Sequence, residues 1–215
     1  MVVIGGASHE DLVRAVQAAG VRDERLLEAV RTTPRAEFVP AEHVEIAYYD
    51  GPVPIGRGLT TTQPSLSARM IESLGLAGEE HVLEVGTGLG FQTALLARLA
   101  ADVVTIDLWA DLVRQARRNL ARQGIGNVES LVGDGSLGVP GRAPYDGIIV
   151  SAAFPEVPAP LVGQLRLGGR LVQPIGPGGR EEIVLFQRTE TGLERRQVLT
   201  PASFVRLHGK YGFPL

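Results

Sequence analysis

Residues 84 to 90, Glu84-Val85-Gly86-Thr87-Gly88-Leu89-Gly90, place an acid and alternating glycines within one turn of chain. The apolar run His81–Val85 before them reads as a buried strand, and Thr93, Leu95, Leu96 and Leu99 after them read as a helix. A strand feeding a glycine turn and then a helix is a ligand cradle. Glycine lets the backbone turn sharply and lets a ligand approach with no Cβ in the way, and the helix N-terminus offers free N–H donors. Dinucleotide sites want G-x-G-x-x-G, but Phe91 stands at the third glycine position. A P-loop wants a Lys-Ser/Thr pair, and the chain continues Phe91-Gln92-Thr93 instead. What remains is acid-x-Gly-x-Gly-x-Gly. Two more acids fall at strand ends: Asp107 closes the apolar run Val103–Ile106, 19 residues after Gly88, and Asp134 lies in Gly133-Asp134-Gly135 after Val128–Val132. An acid at the end of the second strand can accept both hydroxyls of a ribose. The alternative is that Asp107 and Asp134 cap the helices that follow.

Other chemistries are excluded or lack their residues. The 215-residue chain has no cysteine, so disulfides, thiolate catalysis and Cys-ligated zinc are ruled out. His9, His43, His81 and His208 show no metal-ligand spacing, and no metal is expected. A net charge of −3 offers no overall attraction to nucleic acid or an anionic membrane. Arg114, Arg117, Arg118 and Arg122 form a basic helix face without interleaved aromatics, which reads as a solvated surface rather than an RNA site. No apolar run is long enough to span a membrane, and the start of the chain lacks a signal-peptide pattern. A cytoplasmic monomer with no nucleic-acid or membrane partner is expected.

The elements that must position these residues follow from periodicity. Ser8 and Asp11 have capping-box spacing before a helix carrying Leu12, Val13, Val16 and Ala19, with residues 1–7 a loose start. A second helix fits Asp23 to Thr33, and a third starts at Pro64 and ends at Gly75. Between them, Phe38 to Gln63 is an irregular loop broken by Pro and Gly, of a length that is often functional. Strands are expected at His81–Val85, Val103–Ile106, Val128–Val132, Tyr145–Val150, Arg170–Pro174 and Ile183–Gln187, with helices at Ala110–Gln123 and Leu161–Leu167. Strand–helix alternation of this kind implies an α/β fold, a doubly wound, mostly parallel sheet. Residues 77–215 form this core. Residues 1–76 form a helical and loop segment packed on it that contributes to the substrate site, the whole making one compact domain.

The acidic glycine turn resembles the first motif of the Rossmann-like, class I methyltransferases, which implies S-adenosyl-L-methionine as cofactor and S-adenosyl-L-homocysteine as product. By that resemblance Glu84 faces the amino-acid end of the cofactor, and Asp134 contacts the adenine amino group. From about Phe38 to Pro177 the chain resembles the protein-L-isoaspartate (D-aspartate) O-methyltransferases. The likeness lies in Phe38-Val39-Pro40, Ala47-Tyr48, Asp50, the loop Pro54-Ile55-Gly56-Arg57-Gly58-Leu59-Thr60-Thr61-Thr62-Gln63-Pro64, and Val82 to Ala94. It continues in Gly133-Asp134-Gly135, Ala143-Pro144-Tyr145-Asp146, Ala152-Ala153 and the run from Val157-Pro158 to Pro174-Ile175-Gly176.

The resemblance implies methylation of the carboxylate exposed when Asp or Asn has rearranged to isoaspartate. The ester then closes to a succinimide that can reopen as aspartate. It implies Thr62, in the place of a family serine, as the active-site residue. Thr61, Ser67, Glu84, Gly86, Thr87, Gly88, Gly90, Asp107, Leu108, Gly133, Asp134 and Gly135 are implied at the cofactor. Ile55, Thr60, Ser151, Ala152 and His208 are implied at the substrate. No strong base is required, because a carboxylate with a pKa near about 4 is already ionised at neutral pH. The chain departs from the family at Thr61-Thr62, where Ile-Ser is usual, and at Ser151, where Gly commonly precedes the alanines. Trp109, beside Leu108, is either a packing anchor or a cover for the adenine. The departures leave open a relative acting on one dedicated peptide or a small molecule. A non-enzymatic cofactor-binding module, or a dehydrogenase, is the third reading, and Phe91 in place of a glycine argues against the dehydrogenase.

Overall fold

The computed structural model describes residues 7–214, so the loose start expected at residues 1–7 falls almost wholly outside the described part. Helix α1 (His9–Ala18) opens with the expected box: Ser8 Oγ accepts from Asp11 N, and Asp11 accepts from Ser8 N. Helix α2 (Glu24–Thr32) is capped by Asp23. The segment expected to be irregular contains 3-10 turns at Arg35–Phe38 and Ala41–Ile46 and a small antiparallel hairpin, β1 (Pro54–Gly56) with β2 (Leu59–Thr60). Helix α3 (Pro64–Leu74) starts on Pro64, as its fixed φ favours. It is capped at long range, by Asp50 accepting from Ser65 N at 2.8 Å.

The core alternates β3 (His81–Val85), α4 (Phe91–Ala97), β4 (Asp102–Asp107), α5 (Ala110–Arg122), β5 (Val128–Val132), β6 (Tyr145–Val150) and α6 (Ala159–Gln164). It ends with β7 (Leu165–Ile175), β8 (Glu181–Thr189) and β9 (Gly192–Ala202). The seven strands are ordered β5-β4-β3-β6-β7-β8-β9. Pairing is parallel from β5 to β7 and antiparallel for the last two strands. This is a doubly wound sheet whose strand order reverses beside β3, the place where such folds bind ligands.

Side chains alternate across the sheet. Val82 joins α1–α4 in one apolar cluster with Phe38, Met70, Leu95 and Ile149, while Leu83 and Val85 join Val104, Ile148 and Leu161 on the other face. The N-terminal helices thus share the buried core of the sheet.

Two expectations fail. The helix expected over Leu161–Leu167 stops at Gln164, and Leu165 already pairs with Tyr145 in β7. Leu161 and Leu165 mimic a helical stripe, but the two residues belong to different elements and bury the same face. Strand β9 was not anticipated at all. It is a sheet edge with an exposed run Glu194, Arg195, Arg196 and Gln197, so its apolar alternation is too weak to read.

Candidate active site

The C-terminal ends of β3, β4 and β6 open into a cavity of about 310 Å3. The glycine turn forms its floor. Gly86, Gly88 and Gly90 all have positive φ, which an L side chain rarely adopts. A Cβ at Gly86 would sit 3.3 Å from Ser151 Cβ, and one at Gly90 would sit 3.3 Å from Ala116 Cβ on α5. Gly86 therefore frees the cavity wall, while Gly90 lets α4 approach α5. Gly135 lines the same cavity from beyond β5, where a Cβ would collide with Val85.

Asp107 reaches into this cradle. Its carboxylate accepts from Gly88 N at 2.9 Å and from Trp109 N at 3.0 Å. Burial pushes its pKa up, against the lowering effect of those backbone N–H groups. The acid lines the cavity and closes a turn onto Trp109 N, but α5 itself, with Trp109 as its N-cap, has no side-chain cap, so the capping reading of Asp107 does not hold.

Glu84 is fully buried behind the turn rather than on the cavity wall. Oε2 accepts from Thr93 Oγ1 at 2.5 Å and Thr105 Oγ1 at 2.7 Å, and Oε1 accepts from Gln92 Nε2 at 3.1 Å. Loss of water raises its pKa to about 7, although the three donors oppose the rise. Gly133 and Asp134 also lie off the cavity. Asp134 is occupied as a local cap, accepting from Ser136 N and Oγ and from Lys210 N.

The other expected positions meet in one place. Ile55, Thr60, Thr61, Thr62, Ser67, Thr87, Leu108, Ser151, Ala152 and His208 all line the cavity. A second cleft of about 600 Å3 adjoins it and shares Thr60, Thr61, Thr62 and Ser151, so these residues stand at a junction. Thr62 Oγ1 has no hydrogen-bond partner among the described residues, and the residue preceding α3, Gln63, makes no side-chain cap either. Its hydroxyl is thus available to a ligand. Thr61 differs: its Oγ1 accepts from Val53 N at 3.0 Å and Arg35 Nη2 at 3.1 Å, so its oxygen serves the loop. His208 Nδ1 donates to Pro214 O at 2.7 Å, because a carbonyl oxygen can only accept. The segment around His208 is held by Ala153, which exchanges backbone bonds with Val205 and Leu207 beyond the end of β6.

Sequence reasoning missed Arg35, Arg57 and Gln92. Arg35 is fully buried and donates to the carbonyls of Ala47, Tyr49 and Gly51 at 2.8 Å each. It ties the loop that carries Thr61 and Thr62, and burial lowers its pKa to about 10. Arg57, at the hairpin tip with φ of 56°, binds Asp111 and lies 4.4 Å over the Trp109 ring. Trp109 is half-buried and lines the cavity, so it is a wall residue rather than a buried anchor. Only Arg57 carried a local signal, sitting between two glycines.

The residues fit the expected cofactor. The glycine cradle leaves room where a Cβ would intrude, Asp107 supplies an acceptor pair, and the cavity volume falls in the range of small-molecule sites.

Comparison with known proteins agrees. The profile of the protein-L-isoaspartate(D-aspartate) O-methyltransferases matches residues 7–212. The protein-L-isoaspartate O-methyltransferase of Methanoculleus marisnigri is 46% identical over 198 residues, covering 92% of this chain and 90% of the relative. That of Anaeromyxobacter dehalogenans is 48% identical over 190 residues, covering 87% and 91%. A solved protein-L-isoaspartate O-methyltransferase superposes with a TM-score of 0.83 at 31% identity, covering 95% of this chain and 67% of its own. A Plasmodium falciparum protein described as a beta-aspartate methyltransferase in complex with S-adenosyl-L-homocysteine shares the fold. Its TM-score is 0.76 at 23% identity, over 93% of this chain and 98% of its own. The cradle, the acid at the end of β4, the hydroxyl-rich loop and the match across nearly the whole chain converge, and the chain belongs to the protein-L-isoaspartate (D-aspartate) O-methyltransferase family.

Proposed function

We propose that this enzyme methylates the free carboxylate of isoaspartyl residues in aged proteins and peptides and so starts their return to aspartate through a succinimide. The observation that carries the reading is the junction: a cavity fitted to S-adenosyl-L-methionine and an adjoining cleft share Thr60, Thr61, Thr62 and Ser151. Bound S-adenosyl-L-methionine supplies an electrophilic methyl group on a sulfonium. The attacking carboxylate is already ionised at neutral pH, so the protein need only strip its water, align one oxygen and hold both partners. Asp107 anchors the ribose hydroxyls, while Gly86 and Gly88 admit the ligand to the backbone. The free hydroxyl of Thr62 donates to the reacting carboxylate at the junction. Ile55, Thr60, Ala152 and His208 shape the acceptor side.

The test is transfer of labelled methyl to an isoaspartyl peptide and to its aspartyl twin. Labelling of the isoaspartyl peptide alone is expected, and equal labelling of the twins, or none, refutes the proposal. The same reading makes the enzyme a cytoplasmic monomer; sedimentation would test the monomer. Among the described residues no helix is long and apolar enough to cross a membrane.

A further inference from the structure

A chain of polar side chains runs through the buried centre of the sheet, and both of its ends line the cavity. Thr87 Oγ1 meets Thr105 Oγ1 at 2.6 Å, and Thr105 meets Glu84 at 2.7 Å. Gln92 Nε2 then meets Glu84 at 3.1 Å and Ser151 Oγ at 2.8 Å. Thr87 and Ser151 are the ends on the cavity wall.

The direction of every bond follows from the carboxylate. Above about pH 7 Glu84 is ionised and has no hydrogen to give, so Thr93, Thr105 and Gln92 must all donate to it. Thr105 has then given its one hydrogen to Glu84, so Thr87 must donate to Thr105. Thr87 is left with lone pairs for the cavity. At the other end, the amide of Gln92 presents its NH2 to Glu84 and to Ser151 together. Ser151 Oγ therefore accepts, and keeps its own hydrogen. No second partner for that hydroxyl exists among the described residues. Gln92 Oε1 is buried without a partner, a cost that would be avoided if the NH2 end were not held by two acceptors. Ser151 itself is pinned, its N–H donating to Val85 O at 2.9 Å with its Cβ against the glycine turn.

We infer that buried Glu84 sets the polarity of the whole site: Thr87 faces the cavity as an acceptor, and Ser151, aimed by Gln92, donates its O–H to the carboxylate oxygen that is not being methylated. An acceptor suits a cationic ammonium on the cofactor side. A donor suits an anionic methyl acceptor at the junction with the second cleft. Gln92 is thus a positioning residue for substrate and Ser151 a specificity determinant. The inference rests on the reading of this site as a carboxyl methyltransferase.

Steady-state kinetics with an isoaspartyl peptide, alongside calorimetry with S-adenosyl-L-homocysteine, tests it. Ser151→Ala raises KM about tenfold or more, the loss of one hydrogen bond to a charged group, and leaves the Kd of S-adenosyl-L-homocysteine within about twofold. Ser151→Thr, which restores the hydroxyl, recovers KM to within about threefold of the parent. Gln92→Met also raises KM. The pair Ser151→Ala with Gln92→Met raises it no further than Ser151→Ala alone, because one interaction cannot be lost twice. An unchanged KM in Ser151→Ala, or effects of the two substitutions that multiply, overturns the inference while the activity stands. A parent protein that binds S-adenosyl-L-homocysteine but fails to label the isoaspartyl peptide overturns the activity, and the inference with it.

Discussion

Glu84→Gln tests the electrostatics at the centre of the fold. The carboxyl is fully buried, and its pKa rises from 4.5 to about 7 because burial outweighs three donors. Between those values the folded protein holds a proton on Glu84 that the unfolded chain has released. Stability therefore falls as pH rises through this window, and the contribution is fully lost above about pH 7. At about 1.4 kcal/mol for each pH unit, this rise corresponds to roughly 3 to 4 kcal/mol. Between about pH 5 and pH 9 the parent loses roughly 2 to 3 kcal/mol from this one group. Asp107 is the other acid acting on Glu84, and it pushes in the same direction. Gln at position 84 keeps the shape and an acceptor oxygen but cannot ionise, so this part of the pH slope disappears. Urea unfolding of parent and variant, without cofactor, at both pH values measures it. The variant is expected to gain stability on the parent by about 2 to 3 kcal/mol on going from pH 5 to 9. Parallel pH profiles for the two proteins would falsify the argument that Glu84 titrates inside the core.

Arg35→Met orphans the carbonyls of Ala47, Tyr49 and Gly51, at about 1 kcal/mol or more each, so urea unfolding should show about 3 kcal/mol of lost stability. A change under about 0.5 kcal/mol would mean that the loop holds itself. Asp107→Asn removes a charged acceptor from the cradle, and calorimetry should show S-adenosyl-L-homocysteine binding about tenfold or more weaker; equal affinity removes Asp107 from the ribose role. Thr62→Ala should lower kcat about tenfold with little change in cofactor affinity, and full activity would leave its free hydroxyl without a role.

The parts of the fold written in short-range pattern were legible. The strands β3, β4, β5 and β6 and the glycine turn announce themselves by apolar runs and by a glycine spacing that excludes rival ligands. Positions at the junction, such as Thr62 and Ser151, were reached by resemblance, and the structure brings them to one place. What stayed hidden depends on distant partners. Arg35 reads as a surface residue, because its acceptors lie 12 to 26 residues further along the chain. Gln92 reads as an ordinary helix residue, since its neighbour Ser151 is 59 positions away. Strand β9 is polar because it is an edge, and polarity is the signal used to dismiss a strand.

The placement of Glu84 changes what the acid of the glycine turn is for. An acid on the cavity wall would act by direct contact with a cationic ligand, and its value would end there. Buried one layer back, it lies off the cavity wall, and once ionised it sets which neighbouring hydroxyls point hydrogens and which point lone pairs into the cavity. A reaction that needs no proton removed gains nothing from a base at the junction, because its difficulty is orientation. A carboxylate that orients hydroxyls meets that need better than one that titrates against the substrate. This also accounts for the position of Gln92 on α4, directly after the glycine turn. The turn that makes room for the cofactor starts the helix that carries Gln92 to Ser151 on the acceptor side, so one stretch of chain sets both halves of the site.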